Sequence, residues 1–226
     1  QTGRNSAAGE GAMTGFGSGI GGGRTESVAA EAMLRQVRGY WQALRVGDAL
    51  PLRARIDPRG IEGALERAFL IERIGPGQAR FRLAGSFFAD LLGMDLRGLP
   101  VAALFDPLAQ PRLAEVLEQV FAAPGVAELA LEADRGLGRP ALSGRMLILP
   151  VIGEGEAPLA FGCLPTEGDI GRAPRRFLLA RALLERLDLP PAAGLAEPRG
   201  GAQRRPQMQP PPRAVPGRRH LRLVKG

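Results

Sequence analysis

The residues that could perform chemistry are few in this chain. The 226-residue sequence holds one histidine, His220, and one cysteine, Cys163. A nucleophile of the Ser-His or Cys-His type needs its base beside it. Because His220 lies in a basic C-terminal segment, we expect no such pair in the folded core, and no zinc, iron or haem ligated by histidine there.

Other patterns that could indicate chemistry have simpler explanations. Residues 17–22 fit G-x-G-x-x-G, but the five residues before them are too few, and are interrupted by a glycine, to be the strand that precedes a dinucleotide loop. Glu62 and Glu66 stand four residues apart on a predicted helix, where they repel each other mildly and form no acid/base pair. Cys163 has apolar neighbours that would not stabilise a thiolate. The sequence therefore predicts a non-enzymatic protein with no cofactor and no metal site.

Positive charge is concentrated at the C-terminal end. The formal net charge is +7, and residues 199–226 contain seven arginines, one lysine and no acidic residue. The remainder is close to neutral, so a basic groove on the folded part is not implied. The basic segment could bind polyanions weakly, although it lacks aromatic residues for stacking on bases, or it could be a solubilising linker.

Compositional breaks divide the chain into three parts. Residues 1–26 are glycine-rich and residues 189–226 are rich in proline and arginine, so we expect both ends to be disordered. Residues 27–188 have the size and apolar content of one domain. The single cysteine and the lack of a long apolar run predict a cytoplasmic protein without a membrane span.

The elements expected within this domain give an α+β fold. Apolar spacing predicts a helix over 26–46, and Asp57 before Pro58 is typical of a helix N-cap. Alternation and turn signals predict five antiparallel strands, at 68–74, 79–85, 126–133, 143–152 and 158–164. Further helices are predicted near 87–92, 100–105 and 109–122, and a last one over 175–187. We expect the helices on one face of the sheet, with flanking N- and C-terminal helices.

Four short motifs support a family resemblance. They are Tyr40-Trp41, Ile56-Asp57-Pro58, the F-R-L-A-G sequence at 81–85, and the turn at 92–98. With the element order, they resemble the PAS_5-type PAS domain proteins of alphaproteobacteria over roughly residues 30–165. The resemblance implies a five-stranded PAS sheet and a bacterial sensory role in signal transduction.

A cavity between the sheet and the helices would be the default ligand site. Alternation places apolar side chains there, and a ligand would be small and apolar or an acyl-like chain. Alternatively, these side chains fill the space themselves. The candidate lining residues are Phe69, Ile71, Phe81, Leu83, Phe87, Phe88, Leu91, Leu104, Leu147, Leu149, Phe161 and Cys163.

The N-terminal helix carries more apolar surface than a narrow seam requires. It could pack against a second copy to form a homodimer, or it could pack onto its own sheet. The candidate interface residues are Met33, Leu34, Val37, Tyr40, Trp41 and Leu44. The sequence predicts a regulatory protein that acts through contacts with an unidentified signalling partner. The alternative is an adaptor whose basic C-terminal segment binds nucleic acid or an anionic surface, and residues 220–224 could also add a strand to a sheet edge.

Overall fold

An antiparallel sheet forms the centre of the structure, a computed structural model that describes residues 22–155 and 157–188. The α-helices are α1 (Gly22–Ala43), α2 (Ser86–Leu92) and α3 (Gln110–Ala122). Shorter 3-10 segments span Arg53–Arg55, Pro58–Arg67 and Val101–Leu104. The strands are β1 (Ala68–Gly75), β2 (Gln78–Ala84), β3 (Gly125–Ala133), β4 (Ser143–Val151), β5 (Leu159–Cys163), β6 (Thr166–Glu167) and β7 (Phe177–Arg186).

The strand order is β2-β1-β5-β4-β3-β7, and the short β6 pairs with β4. The first two strands form a hairpin, and β3, β4 and β5 form a meander whose last strand pairs with β1. The predicted α+β class and the five predicted strands are confirmed. The sheet has seven strands because β6 and β7 follow the predicted five.

Both faces of the sheet are buried. Along β1, Phe69 and Ile71 pack against α2 and α3, whereas Leu70 packs on the side of α1. We call the first side the inner face and the second the outer face. Helices therefore cover two faces and not one. The predicted flanking N-terminal helix supplies the outer cover.

One stripe of α1 lies on the outer face. Leu34, Val37 and Trp41 are buried there, as their spacing predicts. The indole Nε1 of Trp41 donates a hydrogen bond of 2.9 Å to the backbone oxygen of Pro150 in β4. This bond satisfies the only polar atom of a buried aromatic side chain and fixes the helix to the sheet.

The segment after α1 is held by the neighbouring residue, Tyr40. Its hydroxyl accepts a hydrogen bond from the Asp57 N–H at 2.7 Å and donates one to the Asp57 carbonyl at 3.1 Å. The Asp57 carboxylate accepts the Arg59 N–H at 3.0 Å, which confirms the predicted N-cap. A side chain at Gly60 would collide with the Tyr40 ring. The Tyr-Trp and Ile-Asp-Pro motifs thus meet and position the same loop.

The predicted C-terminal helix over 175–187 is wrong. This segment forms β7, which pairs antiparallel with β3 over its whole length. Leu179, Leu183 and Leu187 have helical spacing, but the exposed edge of β3 offers the backbone a long row of hydrogen-bonding partners. Pairing between distant segments is decided by tertiary context, which a local apolar period does not contain.

A buried arginine fixes the start of β7. The Arg175 side chain is fully buried, and its Nη2 donates to the backbone oxygens of Asp134 and Pro140, each at 2.8 Å. Its Nη1 donates to the Ile170 carbonyl, and its Nε lies 3.4 Å from Oδ1 of Asp134. One guanidinium therefore joins β7 to the β3–β4 connection and to the loop before β7.

Replacing this arginine should destabilise the protein strongly. In Arg175→Met, the backbone carbonyl groups of Asp134, Pro140 and Ile170 lose their buried donor, and Asp134 loses a counter-charge. We expect the free energy of unfolding, measured by urea denaturation, to fall by about 3 kcal/mol or more. Arg176→Met is the matched control, because the Arg176 side chain is exposed. Equal denaturation midpoints for the two variants would contradict the proposed role of Arg175.

Candidate functional site

Aromatic rings fill the inner face, where the sequence predicts a ligand cavity. The ring centroids of Phe69, Phe81 and Phe88 lie 5.8 to 6.1 Å apart, and Phe87 lies 6.0 Å from Phe88. These separations are those of favourable edge and tilted ring contacts. The rings belong to one buried cluster with three other predicted lining residues, Ile71, Leu91 and Leu104. The alternative that side chains occupy this space accounts for these seven residues.

Four predicted lining residues lie on the other face of the sheet. Leu147, Leu149, Phe161 and Cys163 belong to the buried cluster beneath α1. On the same strands, the inner positions are held by Met146, Ile148 and Ala160. A period of two groups residues by face but does not say which face is which, and here both sets are apolar. Their assignment to the inner cavity is therefore wrong.

A β-bulge reverses the expected direction of Leu83. Leu70 pairs with Leu83 and Ile71 pairs with Phe81, which leaves Arg82 as an extra residue on β2. Leu83 therefore shares the outer face with Leu70, and 46% of its surface is exposed. The predicted cavity residues are thus divided between the two faces, and they do not form one site.

The six predicted interface residues of α1 also divide. Leu34, Val37 and Trp41 are buried against the sheet of their own chain. Met33 and Tyr40 are partly exposed on α1, and Leu44, which directly follows the helix, is also partly exposed. Packing onto the sheet accounts for the first three. Met33 and Tyr40 also pack against this cluster with part of their surface, so only the exposed parts of Met33, Tyr40 and Leu44 leave a narrow apolar strip.

An apolar groove remains on the outer face, between the 3-10 segment Pro58–Arg67 and the strands β2, β1 and β5. We call it the outer groove. Its volume is about 260 Å³, and its walls include Ile56, Ile61, Leu65, Leu70, Leu83 and Phe161. It adjoins a larger cleft of about 650 Å³ near the β4–β5 connection, and Arg53, Leu70 and Leu83 line both. Sequence reasoning missed this groove because it placed Leu83 and Phe161 on the inner face.

Cys163 lies beneath α1 with no exposed surface. Burial, and to a lesser degree the nearby charge of Glu128, raise the pKa of its thiol to about 12. A thiol with this pKa stays protonated at neutral pH and is a poor nucleophile. Within residues 22–188, apart from residue 156, no group of three or more His, Cys, Asp or Glu side chains could hold a metal ion.

Two further observations concern predictions made from the sequence. No helix in the described part of the chain is long and apolar enough to cross a membrane. Residues 1–21, the basic segment 199–226 and the possible strand at 220–224 lie outside the described residues, whereas residues 22–26, predicted to be disordered, are the start of α1. The predictions for those segments remain predictions.

Cys163 gives a direct test of outer-face burial, because it is the single cysteine of the chain. The raised pKa keeps the folded thiol protonated as the pH rises from 7 towards 12, whereas an unfolded thiol ionises near pH 9. At pH 9 we expect a chromogenic disulfide reagent to react at least about a hundredfold more slowly with folded than with urea-unfolded protein. Cys163→Ala provides the blank. Rapid stoichiometric labelling of the folded chain would contradict the burial.

Comparison with known proteins identifies the family. Residues 29–165, more than half of the chain, match the family model PAS_5, described as a PAS domain. Neither a curated protein nor a solved structure matches the chain. The matched range begins in α1 and ends just after β5, so β7 lies beyond it. PAS domains are generally sensory, which indicates a sensory or regulatory role. The chain belongs to the PAS_5 family of PAS domains.

Proposed function

We propose that this protein is a non-enzymatic sensory or regulatory protein that acts through protein contacts, and that its first partner is a second copy of itself bound along β7. The observation that carries the proposal is the outer edge of this strand. In the described residues, β7 ends the strand order, and beyond Phe177 nothing pairs with its far side. A long, exposed apolar edge is a template for another strand.

The direction of the backbone groups along β7 follows from the ladder with β3. The N–H of Leu187 donates to the Pro124 carbonyl at 3.1 Å, so the backbone groups of Leu187 face β3. Because backbone groups alternate sides along a strand, those of Leu183 and Glu185 also face β3. The groups that point away from β3 belong to Ala182, Leu184 and Arg186.

The sequence of β7 is complementary to itself in one antiparallel register. With Leu183 opposite the partner's Leu183, Ala182 and Leu184 exchange outward backbone hydrogen bonds across the two-fold axis. The same register places Arg181 opposite the partner's Glu185, twice, where it would join the ion pair that Glu185 already forms with Arg38 of its own chain. Opposite charges in facing positions stabilise a strand pair, and the exposed leucines at the centre would be removed from water.

Two other arrangements could serve the same function. The strip of Met33, Tyr40 and Leu44 could form the dimer contact that the sequence predicts. The edge of β7 could instead receive residues 220–224 of the same chain. We favour β7 with β7 because its register pairs the outward backbone groups of both copies and places opposite charges, not like charges, in facing positions. The adaptor alternative depends on the C-terminal segment alone.

A single charge at the two-fold axis should separate the copies. In Leu183→Lys, two ammonium groups would face each other, so we expect the dimer dissociation constant to rise at least about tenfold in analytical ultracentrifugation. Leu183 is 49% exposed, so the monomer should keep its fold, which circular dichroism would verify.

The matched control is Leu178→Lys. Leu178 is 43% exposed on the same strand, and the proposed register places it opposite the partner's Asp188. This variant should dimerise at least as well as the parent protein. If Met33→Lys dissociates the dimer and Leu183→Lys does not, the contact lies on α1. A parent protein that stays monomeric at high concentration would overturn the proposal.

A variant that lacks residues 199–226 should still form the dimer. If this deletion removes both the binding of polyanions and the regulatory function, the adaptor alternative is favoured.

A further inference from the structure

The outer groove supplies the apolar end of a surface site, and the adjoining cleft supplies its basic end. At its apolar end, Leu65 and Leu83 leave 45% and 46% of their surfaces exposed, and the cross-strand neighbours Leu70 and Phe161 form the floor. Exposed apolar side chains that converge on one concavity are unusual on a monomer surface and mark a contact site. The groove can therefore remove an apolar group from water without any change in the inner core.

The basic end is the adjoining cleft, which four arginines line. Arg80 lies 2.7 Å from the Glu72 carboxylate, and Arg82 lies 3.6 Å from the same group. Glu72 is largely buried, and these two arginines share its single negative charge. Among the residues that the structure describes, Arg53 and Arg97 have no carboxylate within ion-pair distance, although both line the cleft. The other acidic residue described there is Glu154, so the lining carries an excess of positive charge.

Arg53 stands where the two ends meet, since it lines both the groove and the cleft. Its backbone N–H donates to the Ile152 carbonyl at 2.7 Å, which fixes its segment to the end of β4. Its side chain is partly buried. A guanidinium at the boundary of an apolar groove can bind an anionic head group while the attached chain lies against the leucines.

We propose that the outer groove binds a single-chain anionic amphiphile, a carboxylate attached to an acyl chain. The chain lies along Leu70 between Leu65 and Leu83, and the carboxylate contacts Arg53 with Arg97 nearby. This site is distinct from the filled inner face, and it lies at the opposite end of the strand order from β7. Ligand binding and self-association are therefore separate properties of the molecule.

Two features favour an amphiphile over other occupants. A wholly apolar ligand would leave Arg53 and Arg97 unused, and a small free anion would leave the exposed leucines in water. A membrane surface would need a broad basic face, but near this cleft the acidic Glu72 and Glu154 interrupt the positive charge. A ligand with one acyl chain and one anionic head group matches both the apolar groove and the basic cleft.

The test is isothermal titration calorimetry of the full-length protein with dodecanoate, kept below its critical micelle concentration. Dodecyltrimethylammonium, which has the same chain length and the opposite charge, is the comparison ligand. We expect dodecanoate to bind at least about tenfold more tightly. Arg53→Gln should weaken dodecanoate binding by about tenfold and leave dodecyltrimethylammonium binding nearly unchanged.

The apolar end is tested by Leu83→Asp. This variant places a charged carboxylate where the acyl chain would lie, so it should abolish dodecanoate binding. The matched controls are Leu137→Asp, at an almost fully exposed position elsewhere, and Arg112→Gln on α3. Both should bind as the parent protein does. Circular dichroism would confirm that each variant folds. Dodecanoate binding that survives Leu83→Asp, equal affinity for the two amphiphiles, or binding to anionic lipid vesicles but not to monomeric dodecanoate would each overturn the proposal.

Discussion

The structure depends on the alternation of apolar side chains along the central strands. On β1, Phe69 and Ile71 face α2 and α3 while Leu70 faces the opposite side, and β4 alternates in the same way. A sheet that is apolar on both faces must be covered on both, because either face left in water would expose a large hydrophobic surface. On the outer face, α1 and the segment after it supply this cover, and the hydrogen bonds of Trp41 and Tyr40 hold them in place.

Burial on both faces leaves the margins of the sheet for interaction. The inner face is occupied by phenylalanine rings in mutual contact, so a ligand there would have to displace well-packed side chains. The cover on the outer face stops short of Leu83, which opens the outer groove at the β2 end. At the other end, β7 lies beyond the part of the chain that matches the family. It pairs with β3 and so forms the edge of the sheet. The two proposed contacts therefore lie at opposite ends of one sheet.

Local signals in the sequence predicted the elements well. Turn residues located the β1–β2 hairpin, and the Asp57 cap and the apolar stripe of α1 have the roles that their residue types predicted. The face of the sheet to which each side chain points was harder to predict. Leu147 and Phe161 were assigned to the wrong face because both faces are apolar, and Leu83 because one bulge residue, Arg82, shifts the phase.

The segment from Phe177 to Arg186 shows where local reasoning fails. Its leucines fit a helical period, yet its backbone pairs with β3, and the buried Arg175 that fixes its start bonds to carbonyl groups more than thirty residues away in sequence. Neither the pairing with β3 nor the bonds of Arg175 produce a periodic pattern in the sequence. The groove and the adjoining cleft likewise arise from four separate segments, 53–72, 80–85, 97–98 and 153–161, so their arginines and leucines could be grouped after the fold was known but not before.

The most direct test of this account is residue-resolved amide hydrogen exchange along β7, measured by NMR over a range of protein concentrations. We expect the amides of Leu183 and Glu185, which face β3, to be protected at every concentration. The amides of Ala182 and Leu184 should exchange quickly in dilute protein and slowly in concentrated protein, as a second β7 covers them. Uniform protection of consecutive residues at all dilutions would indicate a helix. Amides at 182 and 184 that exchange quickly even in concentrated protein would contradict pairing through this edge.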